Sequence, residues 1–149
     1  EQMMEDLYHL AGFRNNINDD DYWRLMTDEQ IKELSTSPWA TIGSHGYYHN
    51  DLAKIPIDKV KEELIQSKDY LEKVTGKEVK ALAFPYGSYN KQVKDEAIRV
   101  GYTQLLGTET LLPGDNEETM IRERFTINPF IQVHTQMQAT IKGNYAHWK

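Results

Sequence analysis

Strand-like and helix-like segments alternate along most of this chain, and that order restricts the folds open to it. Four short apolar runs predict strands: WATIG (39–43), VKALAF (79–84), TQLLG (103–107) and ERFTI (123–127). Helical periodicity occupies 58–75 and 90–100, between the first three of these runs. Strands that are joined by helices pair in parallel, and the helices cover the sheet. The sequence therefore predicts an α/β fold around a parallel sheet.

The ends of the predicted helices carry typical start and stop residues. Residues 27–30 (TDEQ) predict a capping box in front of a helix of about two turns. In the longer helix that follows, Asp58 is the predicted cap and Gly76 the terminating residue. Gly101 closes the next helix in the same way. A further helix is expected at 131–142.

The longer helix, at 58–75, has one apolar stripe and several charged faces. The stripe comprises Val60, Leu64, Leu71 and Val74. Most of the charged residues are predicted to face solvent: Lys59, Lys61, Glu62, Glu63, Lys68, Glu72 and Lys73. Upstream of the strands, 2–10 has a helical pattern and 14–21 reads as a polar loop.

The composition argues against several classes of partner. The formal net charge is −6, and residues 1–35 hold nine acids against three bases. No basic stripe is present, so nucleic acid is not an expected partner. No apolar run approaches the roughly 20 residues of a membrane span, and the absence of cysteine excludes disulfides and thiolate metal sites. The length fits one domain, 1–149, with an atypical acidic segment at 1–26.

Two histidines stand four residues apart in ATIGSHGYYHNDL (40–52), directly after the first strand-like run. His45 and His49 can converge on one ion if the backbone turns between them, and Gly46 permits such a turn. Catalytic zinc takes neutral imidazole nitrogens, typically within a set of three protein ligands plus water. Hydrogen-bonded loop histidines without a metal are also compatible with this spacing. The pair by itself leaves both interpretations open.

A second loop, FPYG (84–87), follows the second strand-like run. Taken by itself, it is an ordinary turn that exposes Tyr86. In a parallel sheet, loops that follow the strands lie at one edge, where binding residues collect. We therefore expect His45 and His49 to lie next to residues 85–87.

The histidine loop resembles the second motif of the polysaccharide deacetylases, the NodB-homology group of carbohydrate esterases. That motif has the form H-[ST]-x-x-H, with a hydrophobic-Gly-[SN] lead-in and a leucine shortly after it. His45, His49 and Leu52 match, and so does the lead-in at 42–44. Gly46 stands at the position of the serine or threonine.

The segment ALAFPYGSYN (81–90) resembles the third motif of the same family, R-x-P-Y, in its frequent setting F-x-P-Y-G. Pro85, Tyr86 and Gly87 match, whereas Ala83 takes the place of the arginine, as in a branch of the family that reads F-A-Y-P-Y-G. The resemblance covers roughly residues 22–130.

The resemblance implies roles for four residues. His45 and His49 would ligate a divalent ion, most simply zinc. The backbone amide of Tyr86 would help to hold the oxyanion, and its ring, together with Pro85, would shape the acetyl pocket. These roles suit amide hydrolysis, which needs a polarised carbonyl, an activated water and a hydrogen-bond donor for the oxygen that becomes negative.

The resemblance also implies a fold and a substrate. The fold would be a distorted β/α (TIM-like) barrel of the NodB type, here incomplete and lacking its first strand. The substrate would be an N-acetylated, or less often O-acetylated, sugar of a bacterial surface or wall polysaccharide. Such an enzyme would act outside the cytoplasm.

The first motif of the family, T-F-D-D, does not occur in the sequence. In the family it supplies a general base and a further metal ligand. The acids at 19–21 follow the polar stretch RNNIN, so they predict a solvent-exposed loop. The late Leu-x-His histidine of the family has no match either, and His134, on a predicted helix, is expected at the surface.

Three interpretations accommodate this gap. An upstream portion with the first strand is missing, which we favour because a sheet without that strand would expose an open edge. Alternatively, the lineage is catalytically inactive and serves as a carbohydrate-binding or scaffold domain. In a third alternative the histidines form a structural zinc site between chains, which would make the protein a homo-oligomer.

Overall fold

A computed structural model describes residues 25–124 and 131–142 of the chain. It contains these elements: helix α1 (Asp28–Thr36), helix α2 (Ile57–Thr75), strand β1 (Ala81–Ala83), helix α3 (Lys91–Val100), strand β2 (Gln104–Gly107), strand β3 (Ile121–Glu123) and helix α4 (Val133–Lys142). The predictions for 2–10, 14–21 and the acids at 19–21 lie outside the described residues. No helix of the described part is long and apolar enough to cross a membrane.

The three strands form one parallel sheet in the order β1-β2-β3. Leu82 of β1 pairs with Leu105 of β2, and Leu105 in turn pairs with Ile121 of β3. These three side chains are almost completely buried and join a core to which α2 and α3 contribute. The predicted α/β class with a parallel sheet is therefore confirmed.

The strand predictions are only partly right. The predicted strand at 39–43 is wrong: within residues 25–124 and 131–142 these residues pair with no strand, and Trp39 is 94% exposed. Ser44, the next residue, forms an isolated parallel bridge to Leu82. Pro38 and Trp39 form a turn, and residues 40–43 after it have no regular secondary structure, although Gly43 already lies close to Ala81 of β1.

The other strands differ from their predictions in length and position. The strands predicted at 79–84 and 103–107 are shorter, at Ala81–Ala83 and Gln104–Gly107. The strand predicted at 123–127 begins two residues earlier, because Ile121 supplies the buried side chain that pairs with Leu105. Residues 125–127 of that prediction lie outside the described part of the chain.

The helix ends largely follow the sequence signals. Thr27 forms the predicted capping box with Gln30, and Gly76 ends α2 in the left-handed conformation. Asp58 is not the cap of α2, since the helix begins at Ile57. Pro56, which lacks an amide hydrogen, stands in the cap position. The predicted helix at 131–142 is confirmed as α4, with His134 exposed as expected.

The prediction that Glu63 faces solvent is wrong. Its side chain is only 2% exposed, and Ser67, one turn further along α2, is buried as well. Ser67 Oγ lies 2.8 Å from Ser44 Oγ and 3.2 Å from the hydroxyl of Tyr102. The buried face of α2 is therefore partly polar, and it lies under the histidine loop.

The connection from β2 to β3 contains no helix, and a buried ion pair holds it in place. Asp115 is 1% exposed, and its carboxylate accepts from Lys94 Nζ at 2.5 Å and from the Tyr89 hydroxyl at 2.5 Å. Burial would raise the pKa of Asp115, but the hydrogen bonds from Lys94 and Tyr89 outweigh this effect and lower it. Burial, together with Asp115, raises the pKa of Tyr89 to about 12.

We expect Asp115→Asn to lower the free energy of unfolding at pH 7 by about 3 kcal/mol, because it leaves Lys94 buried with only the more exposed carboxylate of Glu118 as a counter-charge. A lowered pKa means that Asp115 stabilises the fold above about pH 4 and that this contribution disappears as the pH falls through its folded-state pKa. Urea denaturation between pH 3 and 7 measures both effects. Asp95→Asn, which removes a surface partner of Lys91, is the matched control and is expected to change stability by less than about 1 kcal/mol. Equal losses in the two variants would contradict the prediction.

Candidate functional site

Backbone pairing next to β1 brings the two sequence motifs together. Ser44 N donates to Ala81 O at 2.8 Å, and Ala83 N donates to Ser44 O at 2.8 Å. Because this bridge is parallel, His45 and Phe84 leave the sheet side by side at the carboxyl end of β1. The predicted proximity of the histidine loop and the loop at 84–87 is confirmed.

His45 is oriented by a main-chain carbonyl. Its Nδ1 lies 2.7 Å from Ala83 O, and because a carbonyl can only accept, Nδ1 carries the hydrogen. In the neutral ring Nε2 is then left with its lone pair. Histidines that bind metals are commonly held through their other nitrogen in this way, which fixes both the tautomer and the direction of the ring.

His49 faces His45 across the loop. The two ring centroids are 4.8 Å apart and the ring planes are inclined by 75°. His49 has a φ of 58°, in the left-handed region that residues other than glycine seldom occupy. Both side chains are exposed at the edge of the sheet, where a ligand can reach them.

The turn Pro85–Gly87 lies against the second histidine. The Tyr86 ring centroid is 4.9 Å from that of His49, and Tyr86 also has a φ of 58°. The hydrogen bonds that close the turn use other amides, since Gly87 N donates to Phe84 O and Ser88 N donates to Pro85 O. Pro85 is buried, whereas Tyr86 is 66% exposed beside the imidazoles.

Three further side chains form hydrogen bonds in this region, and the sequence analysis gave none of them a role there. Glu63 and Asn50 hold each other and the histidine loop, with Asn50 Nδ2 donating to Glu63 Oε1 at 2.6 Å. Arg124 Nη2 donates to Phe84 O at 2.8 Å, and its Nε is buried without a partner in the described part. A signal existed for α2: Ser67 interrupts the apolar stripe between Leu64 and Leu71, which marks a polar contact on the buried face.

The imidazoles suit a divalent cation as part of its ligand set. His45 presents a lone pair on Nε2, and its ring lies within contact distance of the ring of His49. Among residues 25–124 and 131–142, no group of three His, Cys, Asp or Glu side chains is placed to hold a metal. His45 and His49 could therefore supply two ligands of such a set.

Comparison with known proteins identifies the family of this chain. The family model for polysaccharide deacetylase matches residues 8–105, a range that contains both loops. The chain therefore belongs to the polysaccharide deacetylase family. The match begins and ends earlier than the span of roughly 22–130 expected from the motifs. No curated protein shows significant similarity to the chain.

Solved structures share the fold at modest sequence identity. A polysaccharide deacetylase from Bacillus cereus, BC0361, is 28% identical with a TM-score of 0.67, and the alignment covers 93% of this chain and 47% of that one. The putative polysaccharide deacetylase BA0330 from Bacillus anthracis is 26% identical with a TM-score of 0.67, covering 91% and 46%. The Streptococcus pyogenes deacetylase PplD, solved with acetate, is 26% identical with a TM-score of 0.66, covering 76% and 50%. The chain thus spans about half the length of these structures.

The turn that carries Tyr86 is expected to depend on Gly87. A Cβ on Gly87 would lie 2.1 Å from Thr108 Oγ1 and 2.7 Å from Thr108 N, whereas a Cβ on Gly76 meets nothing within 4 Å. Both glycines are left-handed, with φ of 68° and 66°. Gly76→Ala should therefore lower the free energy of unfolding by only about 1–2 kcal/mol, the penalty for placing alanine in a left-handed backbone conformation. Gly87→Ala should lower it by clearly more, because its Cβ would also clash with Thr108. Chemical denaturation of both variants measures the difference, and equal losses would show that Thr108 does not restrict the turn.

Proposed function

We propose that the protein to which this chain belongs is a metal-dependent hydrolase that removes acetyl groups from the N-acetylated, or less often O-acetylated, sugars of a bacterial surface or wall polysaccharide. The observation that carries this proposal is the orientation of His45 by Ala83 O next to the ring of His49, at the edge where Tyr86 lies. Membership of the polysaccharide deacetylase family supports the reaction class. It also supports an acetylated polysaccharide as the partner.

In this proposal His45 and His49 hold a divalent cation, most simply zinc. Such a cation, when bound, polarises a carbonyl and makes water a better nucleophile at neutral pH. The carbonyl of Ala83 keeps the proton of His45 on Nδ1, so that Nε2 stays available as a ligand. The fixed contact between the two rings reduces the reorganisation that binding would require.

Tyr86 and Pro85 are assigned to the acetyl group. The backbone N–H of Tyr86 donates to the oxygen that becomes negative as the amide is attacked, since the hydrogen bonds of the turn use the amides of Gly87 and Ser88. The exposed Tyr86 ring and the buried Pro85 form one side of the pocket for the methyl group. The general base and the remaining metal ligand come from residues outside the described part.

The wider setting follows from the same family membership. We propose that the three parallel strands belong to a distorted β/α barrel of the NodB type, within a single domain that includes residues 1–149. We also propose that the protein acts outside the cytoplasm, where such polysaccharides are found. Within the described residues, no feature favours the non-catalytic alternative over hydrolysis.

The metal assignment is tested by zinc titration of the protein against a chelating dye. His45→Ala and His49→Ala are each expected to weaken zinc binding by at least the 10–100-fold that is typical for loss of an outer-shell partner, because each variant loses a direct ligand. His134→Ala, which removes an exposed histidine of α4, is the matched control and should bind zinc as the unaltered protein does. Unchanged zinc content in the His45→Ala/His49→Ala variant would end the metal assignment. Zinc-dependent association of chains during sedimentation would instead favour the structural-zinc alternative.

The reaction is tested by measuring acetate released from an N-acetylated oligosaccharide by the full-length protein. A chelator should abolish release and added zinc should restore it. Restoration should fail in the His45→Ala/His49→Ala variant, because that variant cannot reload the ion. Acetate release that persists in the presence of the chelator would contradict metal-dependent hydrolysis.

A further inference from the structure

Glu63 lies on the buried face of α2 although it is an acid. It is 2% exposed, and Val60 and Leu64 on the same face are fully buried. Removing a carboxylate from water is unfavourable unless hydrogen bonds replace its hydration. The partners of Glu63 therefore explain its position.

Both carboxylate oxygens of Glu63 accept from the histidine loop. Oε2 accepts from the backbone N–H of Tyr47 at 3.2 Å, and Oε1 accepts from Asn50 Nδ2 at 2.6 Å. Tyr47 and Asn50 lie on either side of His49 in the sequence. One side chain of α2 thus anchors both flanks of the second imidazole.

The backbone of His49 needs such an anchor. A φ of 58° is a sparsely populated conformation for histidine, and residues keep it only where the surrounding structure determines it. The hydrogen bonds to Tyr47 and Asn50 hold the backbone two residues before His49 and the side chain of the residue directly after it. Glu63 therefore holds the residues on both sides of His49 in the sequence.

Gly46 is the residue of the histidine loop that lies against the carboxylate of Glu63. It has a φ of 79°, and a Cβ there would lie 2.8 Å from Glu63 Oε2 and 3.3 Å from Pro85 Cγ. Gly46 also occupies the position at which the resembled motif has serine or threonine. In this chain the carboxylate of Glu63 takes the space that such a side chain would need, so the glycine and the acid form a matched pair.

We infer that Glu63 is a positioning residue for the proposed metal site: it holds residues 46–50 so that the imidazole of His49 faces that of His45 before a cation binds. This inference rests on the proposed function for the role of the two imidazoles. It makes cation affinity depend on hydrogen bonds between Glu63 and the loop.

The experiment compares two neutral replacements at position 63. Glu63→Ala removes both acceptors. Glu63→Gln removes the same charge but keeps an oxygen for the Tyr47 amide, and its NH2 can donate to Asn50 Oδ1 once the Asn50 amide turns over. We expect Glu63→Ala to weaken zinc binding by about 10–100-fold, as outer-shell partners typically do, and Glu63→Gln to stay close to the unaltered protein. Equal losses in the two variants would overturn the inference, because charge and not hydrogen bonding would then be responsible.

Two measurements separate positioning from general destabilisation. Glu62→Ala is the matched control, since Glu62 lies on the same helix, is exposed, and bonds only to Lys59 and Gln66 among the contacts described. It removes one negative charge from α2 and should leave zinc affinity unchanged. Urea denaturation should show that Glu63→Ala is still folded under the titration conditions. An affinity that falls equally in Glu62→Ala and Glu63→Ala would contradict a specific role for Glu63.

Amide hydrogen exchange in the metal-free protein keeps this inference distinct from the proposed function. If Glu63 positions the loop, Glu63→Ala accelerates exchange of the Tyr47 amide at least tenfold, while the amide of Leu64 in α2 is unchanged. Failure of the unaltered protein to bind zinc would count against the proposed function, and the exchange result would still decide whether Glu63 holds the loop. Unchanged exchange at Tyr47 would overturn the inference whatever the zinc titration shows.

Discussion

The pairing of Ser44 with β1 is the constraint on which the candidate site depends. Ser44 donates one backbone hydrogen bond to Ala81 and accepts one from Ala83. These two bonds determine where along β1 the histidine loop leaves the sheet. A slip of one residue in this pairing would turn the His45 side chain to the opposite side of the chain and away from Ala83 O. Gly43 makes the close approach feasible, since a Cβ there would lie 3.1 Å from the Cβ of Ala81.

The buried face of α2 also holds the histidine loop, through polar contacts. Ser67 contacts both Ser44 and Tyr102, and Glu63 accepts from Tyr47. A helix packed only through aliphatic side chains would allow the loop to shift across it at little energetic cost. Directional hydrogen bonds in a buried setting do not allow such a shift, because each broken bond leaves a polar group unsatisfied. The helix thus fixes the loop in addition to covering the sheet.

The sequence predicted where the loops meet better than how they are held. Alternating strands and helices imply a parallel sheet, and loops after parallel strands share an edge, so the closeness of His49 to Tyr86 could be anticipated. The burial of Glu63 could not, because amphipathic patterns assign charged residues to solvent unless a partner is known. The first strand was also predicted wrongly, since an apolar run such as 39–43 does not reveal that, in the part of the chain that the structure describes, the pairing is confined to Ser44. The sequence shows which side chains are charged or apolar and how they are spaced. It does not show which side chain each of them contacts in the folded protein.

The two residues other than glycine that are left-handed in the described part of the chain have a consequence for protein engineering. His49 and Tyr86 occupy backbone conformations that glycine adopts without penalty. A redesign that optimised only thermal tolerance would therefore favour glycine at both positions, and it would erase one imidazole and one aromatic ring of the proposed centre. His49 and Tyr86 thus combine an unfavourable backbone conformation with a side chain of the proposed site, and a redesign for stability should keep both residues.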